Sequence, residues 1–158
     1  MVLEHQAHAA NLITRANWEA RLNQPAAFDS ATESRRLAQG KRVTEAVETL
    51  VDYLLFVDEA PIPEGGIEGS SGFAEKFQAM GPRDSKRRSL RDFDLNTRLM
   101  KYPLSYMIYS QAFQALPSEV KQVALERIRT ILTGEITGPK YAHLTPAIRQ
   151  AITEIVAR

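Results

Sequence analysis

With 158 residues, 44% of them hydrophobic and 25% charged, the chain has the length and composition of a folded globular domain and not of a disordered segment. Twenty basic residues against nineteen acidic leave a net charge of +1, which gives no global field that would attract nucleic acid, an anionic membrane or an acidic substrate. Without cysteine, the chain forms no disulfide, thiolate nucleophile or zinc–cysteine site, and it binds no haem covalently.

The first stretch, Met1 to Asn23, mixes Glu4, His5, His8, Asn11, Arg15 and Asn17 among its apolar residues. It therefore lacks the uninterrupted apolar centre of a signal peptide, and no targeting signal is expected within this chain. Leu3, Ala10, Ile13, Ala16 and Ala20, widened by Trp18 and Leu22, predict instead an amphipathic helix from Val2 to about Asn23, ended by Pro25. Asp29 or Ser30 can cap a second and longest helix, from Ala31 to Val57, on which Leu37, Val43, Val47, Leu50, Val51, Leu54 and Leu55 recur at helical spacing. Gly40 marks an expected break or kink in it, and the two helices are expected to lie antiparallel.

Pro61 to Gly72 holds two prolines and four glycines in twelve residues, so a surface loop is expected there. Ser71 is placed to cap a short helix, Phe73 to Met80, which Gly81-Pro82 stops. Pro82 to Lys101 carries seven basic and three acidic residues, a local charge of +4, and reads as a polar basic loop. Pro103 opens a helix through Ala115 on which Tyr102, Tyr106, Tyr109 and Phe113 form an aromatic stripe. Pro117 and Ser118 open the next, with Val120, Val123, Ala124, Ile128, Ile131 and Leu132, and Gly134 ends it. Thr145 caps the last, with Pro146 in its first turn and Ile148, Ile152, Ile155 and Val156 on one face. No strand, repeat or membrane-spanning apolar run is present. The expected fold is all-α: an irregular bundle of about six helices forming a single domain over residues 1–158, with the basic loop outside.

Three groups of residues carry candidate chemistry. His5 and His8, three apart on one helix face, are candidate metal ligands, although the sequence lacks H-E-x-x-H and His143 lies far along the chain; the plainer reading is histidines at the core edge. His5 alone is also a candidate haem-facing axial ligand. Arg83, Lys86, Arg87, Arg88 and Arg91 are candidate binders of an anionic ligand or of a partner's carboxylates, because guanidinium forks match such groups. The plainer reading has these cations solvated or paired with Asp84, Asp92 and Asp94, with Arg91, Asp92, Asp94 and Arg98 forming a structural charge network. The aromatic stripe reads as core. No nucleophile elbow and no triad order stands out, so no catalytic residue is assigned.

Several stretches resemble a family of uncharacterised bacterial proteins. They are Met1-Val2-Leu3-Glu4-His5-Gln6 running into Asn11-Leu12-Ile13-Thr14-Arg15-Ala16-Asn17; Tyr53-Leu54-Leu55-Phe56 leading to Glu59-Ala60-Pro61; Gly69-Ser70-Ser71-Gly72-Phe73-Ala74; Gly81-Pro82-Arg83-Asp84-Ser85; Ser89-Leu90-Arg91-Asp92-Phe93-Asp94-Leu95; and Tyr102-Pro103-Leu104-Ser105-Tyr106 through Ala115-Leu116-Pro117. They resemble the C-terminal helical region of exported c-type cytochrome-like proteins whose longer members carry an upstream C-x-x-C-H haem-attachment motif. The resemblance implies that this chain is the C-terminal part of a longer periplasmic or exported protein in which haem is present upstream. It implies a non-catalytic accessory domain that covers the haem segment or docks a redox partner. The residues themselves also admit a stand-alone binding module built on the basic loop, or a metal-dependent enzyme built on His5 and His8. Neither nucleic acid nor a membrane span is expected.

Overall fold

A computed structural model describes residues 1–22, 33–69 and 71–157. Among the described residues the chain is all-α, with six α-helices: α1 (Val2–Leu22), α2 (Glu33–Leu54), α3 (Phe73–Ala79), α4 (Gln111–Gln114), α5 (Ser118–Thr133) and α6 (Pro146–Val156). Short 3-10 turns cover Tyr106–Tyr109 and Pro139–Tyr141, and the one strand-like pairing among the described residues is an isolated bridge between Phe93 and Met100. None of these helices is long and apolar enough to cross a membrane. The fold divides into two compact units, one of Met1–Tyr53 with Met107–Ile128 and one of Leu54–Tyr106 with Arg129–Arg158.

In the first unit, α1 buries His5, Ala9, Ile13, Ala16 and Ala20, a run spaced by three and four residues that makes one narrow face of mostly small side chains. That face differs from the expected one: Leu3 is 78% and Trp18 63% exposed, because a stripe of alanines lets the helix approach its neighbours closely and turns the bulky residues outward. The α1–α2 pair is antiparallel, as expected. Tyr53 near the end of α2 donates to the His5 carbonyl near the start of α1 at 3.5 Å, while Gln39 near the start of α2 reaches the carbonyl of Leu22 at the end of α1. Ala46, Val47, Leu50 and Val51 of α2 are buried, the valines and Leu50 each contributing about 1.5–3 kcal/mol on leaving water. The helix runs through Gly40 without a break. The expected caps Asp29 and Ser30 lie outside the described residues.

The second unit begins where α2 stops, three residues earlier than its apolar pattern suggests. Phe56 and Asp58 adopt left-handed φ values of 55° and 58°, which cannot continue a right-handed helix, and the amide of buried Ser105 takes the Leu54 carbonyl at 2.7 Å. Two other expectations fail on local geometry. The cap of α3 is Gly72, at φ 68°, with no side-chain hydrogen bond, so Ser71 does not cap it. The segment from Pro103 to Ala115 is not one helix. Leu104 turns back onto the Tyr102 carbonyl, Tyr106–Tyr109 is a 3-10 turn, and α4 starts only after Ser110, whose hydroxyl accepts from the Phe113 amide. Tyr102, Tyr106 and Phe113 are nevertheless buried as core residues, reached by a folded-back chain and not by one helical stripe.

The later boundaries agree with the sequence. Gly134 sits at φ 83° just after α5, and Thr145 caps α6 by accepting from the Ile148 amide at 3.3 Å, with Pro146 following. The Arg149 side chain crosses from α6 to the C-terminal end of α5, donating to the Ile131 carbonyl and, at 2.7 Å, to the Leu144 carbonyl. Ile152 and Ile155 are buried on the same helix, so α6 is held both by apolar packing and by a guanidinium on backbone carbonyls.

Candidate functional site

The basic segment is non-helical, as expected, and most of its cations are already engaged within the second unit. Asp84 accepts from the Lys86 and Arg88 amides and from Arg88 Nε, all within 2.9 Å. Arg88 Nη2 bridges on to Glu154 of α6 at 2.5 Å, and Lys86 Nζ meets the same carboxylate at 2.7 Å. Arg83 pairs with Asp92 at 3.0 Å and donates to the carbonyls of Arg87 and Gln78. Arg91 lies over the rings of Phe77 and Tyr106, 4.7 and 4.5 Å from their centroids. Arg87, at φ 60°, is exposed and its side chain has no hydrogen-bond or ion-pair partner among the described residues. Asp94 accepts from the amides of Asn96 and Thr97 and feels the charge of Arg98, but no hydrogen bond or ion pair ties Arg91, Asp92, Asp94 and Arg98 into one network.

This clasp has a pH signature. Hydrogen bonds from Lys86, Arg88 and Gln150 hold the Glu154 carboxyl down at about 2 from its ordinary 4.5. At Asp84 burial works against ionisation, but the hydrogen bonds and charge of Arg88 outweigh it and lower the pKa. A depressed folded pKa means that the unfolded chain takes up the proton first. The stabilisation is therefore complete above the ordinary carboxylate pKa and is lost as pH falls through about 2. Acid titration of the far-UV circular dichroism is expected to show a shallower loss of stability below pH 4.5 in Glu154→Gln than in the natural chain. Equal slopes would mean that the clasp contributes nothing to acid stability.

His5 and His8 do share a face of α1, where both rings meet Tyr53. His5 stacks on it at 5.2 Å between centroids and His8 lies tilted against it at 4.5 Å. His5 is buried, and burial, with the His8 charge second, lowers its pKa to about 4, so the ring is neutral at pH 7. No cluster of three or more His, Cys, Asp or Glu side chains suited to a metal occurs among the described residues.

A different constellation emerges in the second unit. A cleft of about 300 Å³ is lined by Phe56, Asp58, Glu59, Ala60, Pro61, Thr97, Arg98, Pro139, Lys140 and His143. The left-handed turn after α2 builds one wall. His143 Nε2 lies 2.7 Å from the carbonyl of Leu55, which fixes the ring, and Glu59 Oε1 accepts from the Leu99 amide at 2.9 Å. Burial raises the Glu59 pKa, against the opposing pull of the Leu99 amide and of Arg98. The other wall is a tight reversal between Asp92 and Lys101. It is closed by Leu95 N–H on the Arg98 carbonyl at 2.9 Å and Asp94 N–H on Leu99 at 3.2 Å, and pinned at its tip by the Asp94 carboxylate.

That reversal carries Arg98 into the cleft wall. Its guanidinium has no hydrogen bond or ion pair among the described residues, and Nη1 is fully enclosed. A buried donor left unmet costs about 1–3 kcal/mol, more when charged. Three residues in the left-handed region, Phe56, Asp58 and Leu95, sit on the segments that shape the cleft, at a cost to non-glycine backbone of about 1–2 kcal/mol each. Left-handed backbone and a guanidinium without a hydrogen-bond partner among the described residues thus meet at this cleft.

Sequence reasoning assigned none of these residues to a ligand. In the sequence Arg98 reads only as part of a structural network, and the cleft gathers three segments far apart in the chain, so no local spacing betrays it. The Asp94-Leu95-Asn96-Thr97 run, with an acid able to cap its own turn, was the one readable sign of a fixed reversal. No family model, curated protein or solved structure matches the chain.

Proposed function

We propose that this chain is a small-molecule binding domain that anchors an anionic group of its ligand on Arg98 in the second-unit cleft. One observation carries the reading: a guanidinium with no hydrogen bond or ion pair among the described residues, set in the wall of a cleft of about 300 Å³. That volume is at the small end for ligand pockets. The binding-module reading of the sequence thus keeps its chemistry and changes its address, from the clasped loop at Arg83–Arg91 to the unclasped arginine seven residues beyond it.

Nuclear magnetic resonance titration of the full chain with acetate tests it. Amide shifts are expected at residues 56–60, 97–99 and 140–143, and Arg98→Gln is expected to weaken binding about tenfold or more, the loss of a charge-assisted contact. Shifts confined to 83–91, or affinity unchanged in Arg98→Gln, would overturn the assignment.

The sequence stretches that resemble exported cytochrome-like proteins support a second reading, in which the chain is a non-catalytic accessory domain beside a haem-bearing segment and meets that segment or a redox partner in the periplasm. A C-x-x-C-H motif in frame in the coding sequence upstream of Met1 is the expected finding. An open reading frame without it removes the basis for this reading and leaves the cleft untouched.

A further inference from the structure

Resting on the cleft reading above, we infer that the ligand is a free α-amino acid, bound as a zwitterion with its carboxylate on Arg98 and its ammonium on Glu59 and Asp58. The cleft brings Arg98 into the same small volume as Asp58 and Glu59, with opposite charges on separate segments of its lining. Groups of opposite charge this close ordinarily pair. Here neither carboxylate forms an ion pair with Arg98, and Asp58 has no hydrogen-bond partner among the described residues. Glu59 spends only Oε1, on the Leu99 amide, and Oε2 is left without a partner among the described residues.

The separation is built into the backbone. The left-handed φ of Asp58 and the Leu99 amide set the acids on one segment, and the Asp94-pinned reversal sets Arg98 on another. Charges held apart across a gap are complementary to a molecule that itself carries both charges a short distance apart. A dianion such as phosphate would face Asp58 and Glu59, and a simple amine would face Arg98; both meet a like charge. The burial that raises the Glu59 pKa is offset when an ammonium arrives beside it. Pro61 and Pro139 give the cleft an apolar component for the ligand's side chain.

The full chain, isotopically labelled, is titrated with each common free L-amino acid, and the tightest binder is compared with its own N-acetyl and methyl ester derivatives. Each derivative removes one charge, and each is expected to bind about tenfold more weakly or worse. Glu59→Gln keeps the acceptor for the Leu99 amide and removes the charge; it is expected to weaken the amino acid about tenfold more than it changes the N-acetyl derivative. Asp58→Asn, which tolerates the left-handed backbone, repeats the comparison should Glu59→Gln fold poorly. If the N-acetyl derivative or acetate binds as tightly as the amino acid, the zwitterion proposal falls while the Arg98 anchor stands. If nothing binds in the cleft, both fall.

Discussion

Replacing Phe77 by alanine is expected to cost about 3–5 kcal/mol and to lower the melting temperature by roughly 6–20 °C. Phe77 is 2% exposed and is the centre of the second unit's aromatic cluster. Its ring stacks on Phe93 at 4.9 Å and Phe73 at 5.7 Å, meets Tyr106 edge-on at 5.1 Å, and carries the Arg91 guanidinium at 4.7 Å. Alanine removes the transfer energy of the ring and leaves a cavity whose walls belong to three segments, α3 itself, Arg91 with Phe93, and Tyr106, which cannot all collapse together. It also strips one of the two rings from Arg91. Phe77→Leu retains most of the apolar volume and gives up the ring–ring and cation–π contacts, each worth about 0.5–1.5 kcal/mol, so it should fall between the two. Urea denaturation of the three chains checks the order, and a loss under about 1 kcal/mol for alanine would show that the cluster is not a unit of stability.

How far the fold is legible depends on whether local chemistry or distant contact decides a boundary. Thr145-Pro146 before α6 and Gly134 after α5 act through the backbone of their own turn, so their residue types suffice to place them. The end of α2 does not, because Leu54 and Leu55 continue the apolar pattern while the chain is turned by Phe56 and Asp58 and the freed carbonyl is taken by Ser105, fifty-one residues on. The tyrosine-rich segment fails for a related reason. Tyr102, Tyr106 and Phe113 have helical spacing and are buried, and burial is what the spacing reports; the chain reaches the same end through a turn at Leu104 and a cap at Ser110.

For the site, residue type was legible and partnership was not. The basic run shows that cations are present, but only the fold reveals that Glu154, some seventy residues away, occupies Lys86 and Arg88, and that Asp92 occupies Arg83. Arg98 differs from them solely in what surrounds it. A lone arginine in a sequence carries no mark of having been left without an acceptor, and three chain segments must converge before the cleft exists.

Gly81 makes the converse case, a single residue whose type is dictated by a neighbour it could not have announced. Gly81→Ala is expected to destabilise the chain by about 1–3 kcal/mol. Just past a helix end, such a change ordinarily stabilises slightly, by about 0.4–1 kcal/mol, since alanine has less freedom to lose on folding. Here the new methyl would lie 2.3 Å from Ser89 Oγ and 3.0 and 3.2 Å from Arg91 Cδ and Cβ. Ser89 is 1% exposed; its amide is tied to Asp92 at 2.9 Å and its hydroxyl accepts from the Arg91 amide at 3.2 Å. Making room therefore moves the turn that positions Arg91 over Phe77 and Tyr106, and the contact cost exceeds the entropic gain. Gly40→Ala supplies the contrast. It lies inside α2 with nothing within 4 Å of the added carbon and is expected to stabilise by about 0.5–1 kcal/mol. Combining Gly81→Ala with Ser89→Ala removes the closest clash and should recover part of the loss. Opposite signs at the two glycines, with partial rescue at the first, would locate the effect in that contact; a neutral Gly81→Ala would show that Ser89 and Arg91 yield without resistance.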